Sequence, residues 1–258
     1  MQLRIPADGF CTTHVLLEVC ATTLASARAA ERGGADRIEL CSNLAAGGIS
    51  PSAALLSAVL SAVSIPVHML VRPRPGDFVF SSVEFQRMCG DVEKAKAAGA
   101  AGVAIGVLLP DGRVDVRRTR MLAELARPLH VTFHRAFDET PDRLEALEDV
   151  IRSGAETLLT SGGAPDMLAG ANEIALIRKQ AGTRLQIMAG AGLRVSNLAD
   201  FVRRTGVYQL HGSFSKDCGG RDSAASRGGT HRMEQRVREA VQLLRASFSA
   251  VVEPHPVA

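Results

Sequence analysis

Short apolar runs separated by helical segments recur eight times along this chain of 258 residues, and no other feature constrains its fold as strongly. The intervening segments carry Ala, Leu, Glu and Arg at helical spacing, as in VEKAKAAGA and RLEALEDVIRSGA. Several of them end in a glycine-bearing turn, which supplies the left-handed C-cap of a helix just before the next strand. The runs are VLLEVC (15–20), RIELC (37–41), PVHMLVR (66–72), GVAIGV (102–107), LHVTFHR (129–135), TLLTSG (157–162), RLQIMAG (184–190) and VYQLHGS (207–213).

Eight alternating strands and helices predict an α/β fold in which a parallel sheet closes as a single (β/α)8 TIM barrel. A doubly wound open sheet is the alternative, although it would normally need fewer strands. Apolar residues at helical spacing near the C-terminus predict an extra helix there. We divide the chain into an N-terminal extension (1–14), the barrel body (15–215), a flexible Gly/Ser-rich loop (216–230) and a C-terminal helix and tail (231–258).

Charge and cysteine content exclude several classes of protein. The chain has 30 basic and 27 acidic residues, too even a balance to indicate a nucleic-acid or membrane surface. No stretch approaches the roughly 18 apolar residues of a membrane span, and the N-terminus lacks the pattern of a secretory signal. Five scattered cysteines suit reduced thiols better than a disulfide framework. We therefore expect a cytoplasmic protein, and a homodimer formed through helices or loops is compatible with this composition.

The first two strands both carry the pattern Glu-x-Cys, with Glu18 and Cys20 on one and Glu39 and Cys41 on the other. Residues two apart share a face of a strand. If this face points into the lumen, the aliphatic alternates pack against the helices, which need an apolar partner. Applied to the other strands, the same choice places the following residues inside: His68, Leu70, Arg72, Thr132, His134, Thr160, Gln186, Met188, Gln209 and His211. The remaining histidines, His14, His130, His231 and His255, receive no role.

The resulting lumen is strongly polar, and its charges need partners. Burying one unpaired polar group costs on the order of 1–3 kcal/mol, and an unpaired charge costs more. Glu18 and Glu39 could each pair with Arg72 or another inward cation, or the group could meet a ligand. Because these residues lie toward the carboxyl ends of their strands, where barrels place active sites, we expect a functional site at that rim.

One hypothesis is an enzyme that acts on a small anionic or phosphorylated metabolite. Its catalytic residues would be Glu18, Glu39 and His134, with His134 transferring a proton. Arginine can hold a carboxylate or phosphate bidentately, and Gly-rich turns offer backbone N–H groups to an anion. The predicted anion-binding residues are Arg72, Arg74, Ser161, Gly162, Gly190, Gly192, Gly212 and Ser213. The structural alternatives are a surface ion pair between the loop arginines and Asp77, and a capping or arginine-orienting role for Asp138.

The other hypothesis is a Cu(I) site. Cu(I) prefers thiolate and thioether ligands and accepts imidazole. Because adjacent strands lie about 4.8 Å apart, Cys20 and Cys41 could reach one two-coordinate ion, with Met188 and His211 as candidate third ligands. Two alternatives remain open: the thiols could simply pack as small hydrophobic groups, or they could form a disulfide, which a cytosolic location disfavours.

Seven motifs in this order resemble the CutC family of copper homeostasis proteins: EVC, GGADRIELC, GGISPS, PVHMLVRPRPGDF, PDGRVD, PLHVTFHRAFD and LLTSG. The resemblance covers residues 15–215, most of the chain. It implies a TIM barrel, a cytosolic location and a role in copper binding or tolerance, and the proposed copper ligands of the family fall on Cys20 and Cys41. We take Cu(I) binding as the main expectation, and the charged lumen keeps the enzyme as its alternative.

Overall fold

The computed structural model describes residues 14–214 and 227–252 and shows a closed barrel of eight parallel strands. Each strand pairs with the next in sequence, and β8 pairs with β1. The predicted (β/α)8 barrel is therefore confirmed, and the open sheet is excluded. The strands are β1 (Leu16–Ala21), β2 (Arg37–Leu40), β3 (Val67–Leu70), β4 (Gly102–Ile105), β5 (His130–Phe133), β6 (Thr157–Thr160), β7 (Gln186–Gly190) and β8 (Gln209–Gly212).

Eight α-helices surround this barrel in the part of the chain that is described. They are α1 (Leu24–Gly33), α2 (Ala53–Leu60), α3 (Ser82–Ala98), α4 (Val116–Ala126), α5 (Arg143–Ser153), α6 (Ala171–Ala181), α7 (Leu198–Thr205) and α8 (Arg227–Val252). The longest of the seven barrel helices, α3, shows why they begin and end where they do. Ser81 and Glu84 form a reciprocal capping box at its start, and Gly99 ends it with φ of 83°. None of the helices in the described ranges combines the length and the apolar composition that a membrane span requires.

The apolar core lies between the strands and the helices. Leu17 and Ile38, on the outward face of β1 and β2, are fully buried there. Burying such a side chain stabilises the fold by about 1.5–3 kcal/mol. A second, small apolar cluster lies inside the barrel and consists of Cys20, Cys41, Leu70 and Ala104, with Leu44 against it. The predicted choice of inward face is therefore correct for the first three strands.

Two lumen assignments are wrong. In β6, Leu159 lines the cavity, whereas Thr160 pairs in register with the outward-facing Ala189 and its hydroxyl donates to Asp138. His130, which is absent from the predicted inward set, stacks on His68 with ring centroids 5.3 Å apart. It lies at the amino end of the barrel, where β5 begins, and does not line the cavity at the other end. Alternation from Thr132 would have placed it inward.

The C-terminal helix is confirmed, and α8 packs along α1. Val237 lies so close to Gly33 that a Cβ added there would come within 2.7 Å of it. Glu234 on α8 accepts from Arg32 at 2.9 Å. Helix α8 begins at Arg227, inside the segment predicted as a loop. Residues 1–13, 215–226 and 253–258 lie outside the described residues, so the predicted extension, most of the loop and the tail stay predictions.

Candidate functional site

A cavity of about 950 Å³ occupies the carboxyl end of the barrel. Its walls come from the strand ends, the loops after them and the last helix. The lining has four parts: a thiol floor (Cys20 and Cys41), an acid–imidazole pair (Glu39 and His211), an arginine wall (Arg72 with Phe78 and His134) and a rim formed by the loops after β7 and β8. Two of the predicted catalytic residues, Glu39 and His134, line this cavity, whereas Glu18 does not.

The thiol floor consists of Cys20 and Cys41, whose sulfur atoms are 3.2 Å apart. Both side chains are buried, with exposed fractions of 3% and 1%. Leu70 and Ala104 complete the cluster around them. The hydrogen bond with Cys41, together with burial, raises the pKa of the Cys20 thiol, so this thiol is protonated at neutral pH. The two thiols lie together, as predicted, although the register pairs Cys20 with Glu39 and Cys41 follows the last residue of β2.

The acid–imidazole pair lies beside the thiols. The ligand atoms of Cys20, Glu39 and His211 all lie within 4.8 Å of one another. Burial raises the pKa of Glu39 to about 6. Burial lowers the pKa of His211, but Glu39 and Glu18 outweigh it and the net shift is upward. His211 is therefore held between two carboxylates, with its Nδ1 2.8 Å from Glu18 and its Nε2 3.8 Å from Glu39.

Beneath the cavity, Glu18 forms a buried ion pair with Arg37. Arg37 Nε donates to Glu18 at 2.5 Å, and its Nη2 donates to Gln209 and to the sulfur of Met188. Burial alone would raise the pKa of Glu18, but Arg37 and His211 lower it below the usual range. Glu18 thus pairs with an inward cation, as one alternative foresaw, although the cation is not Arg72. Met188 does not line the cavity, so the structure does not bring it to the thiols.

The arginine wall faces the cavity from the loops after β3 and β5. The guanidinium of Arg72 stacks on Phe78, with Cζ 4.5 Å from the ring centroid, and His134 lies 5.0 Å from the same ring. Gly106 makes room for His134, since a Cβ there would come within 2.4 Å of the imidazole. Arg72 and His134 are 6% and 5% exposed. The structure thus places both predicted residues on one wall.

Four predicted anion-binding residues lie outside the cavity: Arg74, Ser161, Gly162 and Gly190. Arg74 donates to Asp77 and Glu84, so it organises its own loop, as the structural alternative foresaw. Ser161 and Gly162, after β6, do not line the cavity either. The carboxylate of Asp138 accepts from the backbone N–H groups of Ser161 and Gly163, and from Arg135. The N–H of Ser161 is therefore taken by Asp138, and that of Gly162 donates to Thr160 Oγ1 at 2.8 Å, so both predicted N–H groups already have acceptors inside the protein.

The rim contains most of the other predicted glycine-rich positions. Gly192, Gly212 and Ser213 line the cavity. Gly190 does not, because it lies against Leu159, where a Cβ would come within 2.8 Å. Sequence reasoning missed three charged side chains that line the cavity, and no motif pointed to them: Arg194, Arg236 and Glu239. It also missed Arg37, which alternation from Glu39 could have found.

A family model, described as the CutC family, matches residues 15–216. The chain belongs to the CutC family. This confirms the resemblance read from the sequence. The family protein CutC of Chromobacterium violaceum is 48% identical over 198 residues, covering 77% of this chain and 80% of that protein. The family protein CutC of Caulobacter vibrioides is 43% identical over 241 residues, covering 90% and 98%.

A solved structure of a CutC protein is also similar. It is the "Putative Copper Homeostasis Protein CutC" from Streptococcus agalactiae, which is 28% identical with a TM-score of 0.74. The match covers 77% of this chain and 98% of that chain. The barrel body described above is therefore the part of the chain that the CutC family shares.

Proposed function

We propose that this protein is a cytoplasmic Cu(I)-binding protein whose metal ligands are the thiols of Cys20 and Cys41. The observation that carries the proposal is the 3.2 Å separation of two buried sulfur atoms at the floor of a cavity. Cu(I) prefers soft thiolate ligands and accepts two of them. A copper homeostasis name on a solved CutC relative supports the same conclusion.

His211 is the best placed third ligand. One of its ring nitrogens lies within 4.8 Å of the ligand atoms of Cys20 and Glu39, and imidazole is an acceptable ligand for Cu(I). Met188 is less suitable, because its sulfur accepts from Arg37 below the cavity. The proposed ligand set is therefore Cys20 and Cys41, with His211 beside them.

Copper binding at this site is coupled to the loss of protons. A ligand nitrogen needs its lone pair, so His211, whose pKa is raised by its carboxylate neighbours, can bind the ion only in its neutral form. Because the thiol of Cys20 is protonated in the free protein, copper binding must release protons.

An anaerobic competition titration against a chromophoric Cu(I) chelator tests the proposal. We expect one tightly bound ion per chain in the wild type, and a loss of affinity of more than about a hundredfold in Cys20→Ser and in Cys41→Ser. Cys89→Ser is the matched control, because Cys89 lies on α3 away from the cavity. Repeating the titration with Cys11 and Cys218 replaced by serine removes the cysteines outside the described residues. Wild-type affinity in the Cys20→Ser/Cys41→Ser double variant would refute the proposal.

One observation favours a second candidate, an enzyme acting on a small anionic metabolite. Glu39 and His211 both face the cavity, and a carboxyl group with a pKa of about 6 beside an imidazole is suited to proton transfer. In this candidate Glu39 keeps its predicted role, and His211 takes the place of Glu18, which is engaged by Arg37.

Incubating a small-molecule extract with wild type and with Glu39→Gln, followed by mass spectrometry, tests this enzyme hypothesis. Consumption of an anionic component by the wild type alone supports it. Identical composition after both incubations would argue against it.

A further inference from the structure

Arg72 is a buried cation that forms no ion pair within the part of the chain that the structure describes, and the charges of Glu139 and Asp77 act on it only from a greater distance. Its Nη1 donates to the backbone carbonyls of Ala46 and Gly48, at 3.4 and 3.1 Å, and its Nη2 donates to that of Gly76 at 2.5 Å. These contacts account for at most three of its five N–H groups. In the ranges 14–214 and 228–246, no carboxylate forms an ion pair with Arg72, and its Nε–H has no acceptor. A buried charge in this state is costly unless a ligand compensates it.

His134 presents a second unused donor on the same wall. The backbone N–H of Ala136 donates to its Nδ1 at 3.2 Å, so this nitrogen carries the lone pair. Burial, and then the charge of Arg72, lowers the pKa of His134 to about 3, which keeps the ring neutral. A neutral imidazole that accepts at Nδ1 carries its proton on Nε2. This Nε2–H is buried and has no acceptor among the described residues.

We propose that this wall binds the carboxylate group of a small organic monoanion, with Arg72 as the cation and His134 Nε2–H as a second donor. Both residues line the cavity, and the Phe78 ring is their common neighbour. Because both unpaired nitrogens are shielded from solvent, binding requires neighbouring side chains to move aside. One oxyanion would then satisfy two buried donors whose unmet state costs about 1–3 kcal/mol each.

The surrounding charges favour a monoanion over a phosphate dianion. On this wall Arg72 is the cation that has no ion pair among the described residues, since Arg135 is already paired with Asp138 at 2.8 Å. The other arginines that line the cavity, Arg194 and Arg236, come from the loop after β7 and from α8. Glu39 lines the same cavity and would repel a second negative charge. Backbone N–H groups after β6, which could have held a phosphate, donate to Asp138 instead. Apolar side chains complete the cavity and suit an organic body: Leu44, Leu70, Phe78 and Leu159.

This proposal rests on the second candidate function, an enzyme that acts on a small anionic metabolite, and it specifies the chemical class of that metabolite. It concerns binding and not turnover. Binding is measured on copper-free protein without any reaction. Cys20→Ser/Cys41→Ser should keep the affinity for a carboxylate while losing Cu(I). The Cu(I) titration, the incubation with extract and the carboxylate titration can therefore each fail without affecting the other two.

Calorimetric titration with benzoate and pyruvate tests the proposal, with benzamide as the neutral analogue and inorganic phosphate as the dianion. We expect both carboxylates to bind the wild type, and benzamide and phosphate to bind at least about tenfold more weakly. Arg72→Lys and His134→Asn should each weaken carboxylate binding by about tenfold to a hundredfold. Arg74→Lys is the matched control: it lies two residues away in the same loop, outside the cavity, and should bind like the wild type.

Four results would overturn the proposal. They are the absence of binding by either carboxylate to the wild type, equal affinities in Arg72→Lys and Arg74→Lys, equal affinities for benzoate and benzamide, and tighter binding of phosphate than of the carboxylates. Thermal melting of each variant without ligand shows whether it is folded. If Arg72→Lys is not folded, His134→Asn against Arg74→Lys decides the question.

Discussion

Arg37 and Glu18 occupy paired register positions on neighbouring strands, and the Nε of Arg37 donates to the carboxylate of Glu18 at 2.5 Å inside the barrel. Both side chains are nearly inaccessible, with exposed fractions of 9% and 2%. The remaining oxygen of Glu18 contacts His211. Glu18 thus connects the buried cation Arg37 to His211, which lines the cavity. The ion pair therefore contributes both to the stability of the barrel and to the position of the His211 ring.

Removing the cation of this pair should destabilise the protein strongly. Arg37→Met leaves the carboxylate of Glu18 buried with its main partner lost, which typically costs about 3–5 kcal/mol. Urea denaturation measures the free energy of unfolding. The double variant Glu18→Gln/Arg37→Met removes both charges and should be less destabilised than the sum of the single variants. Additive effects would contradict a direct coupling between these residues.

The sequence predicted the barrel and its polar lumen but not the partners within it. Period-two alternation placed Glu18, Cys20, Glu39 and Cys41 correctly, because the side-chain period of a strand is fixed by its backbone. The identity of the cation depends on register, and pairing of Glu18 with Arg37 is visible only once the strands are aligned. Spacing along one strand carries no information on the register between two.

Loop contacts were beyond sequence reasoning for a related reason. Asp138 and Ser161 are 23 residues apart, yet the carboxylate of one accepts the backbone N–H of the other. Glycine-rich composition indicated available N–H groups after β6 but could not show that an internal carboxylate takes them. By contrast, Gly192 and Gly212 do line the cavity, because they lie directly at the carboxyl ends of β7 and β8.

Gly106 should be intolerant of a side chain. A Cβ at this position would come within 2.4 Å of Cε1 of His134, so Gly106→Ala forces the imidazole to move. We expect a loss of about 1–3 kcal/mol in the free energy of unfolding. Gly90→Ala is the opposite case: Gly90 lies within α3 with open space around it, and alanine should stabilise the helix by up to about 1 kcal/mol. Chemical denaturation of both variants checks the contrast, and equal effects would refute it.

Asp138 should control the order of the loop after β6. Asp138→Ala removes the acceptor shared by Thr160 Oγ1 and the N–H groups of Ser161 and Gly163. We expect a loss of stability of about 1–3 kcal/mol, together with faster hydrogen exchange at the amides of Ser161 and Gly163. Asp77→Ala is the control, because Asp77 is exposed and belongs to the loop after β3. Unchanged exchange in Asp138→Ala would show that other contacts hold the loop.

Acid should weaken the fold through His134. Its pKa is lowered to about 3 in the folded protein, against 6.5 as the usual value. Above pH 6.5 the ring is neutral in both states, and its stabilising effect is complete. As the pH falls from 6.5 toward 3, the unfolded state binds a proton that the folded state does not, so the free energy of unfolding decreases.

The free energy of unfolding should decrease by about 1.4 kcal/mol for each pH unit below 6.5, which amounts to about 2 kcal/mol at pH 5. Urea denaturation of wild type and His134→Gln at pH 7.5 and pH 5 isolates it, because the other titrating groups are common to both proteins. The wild type should lose this amount relative to the variant on acidification. The difference between wild type and Gly90→Ala, which changes no titratable group, should be the same at both pH values. A wild-type-to-His134→Gln difference that does not depend on pH would mean that the imidazole is accessible to protons in the folded barrel.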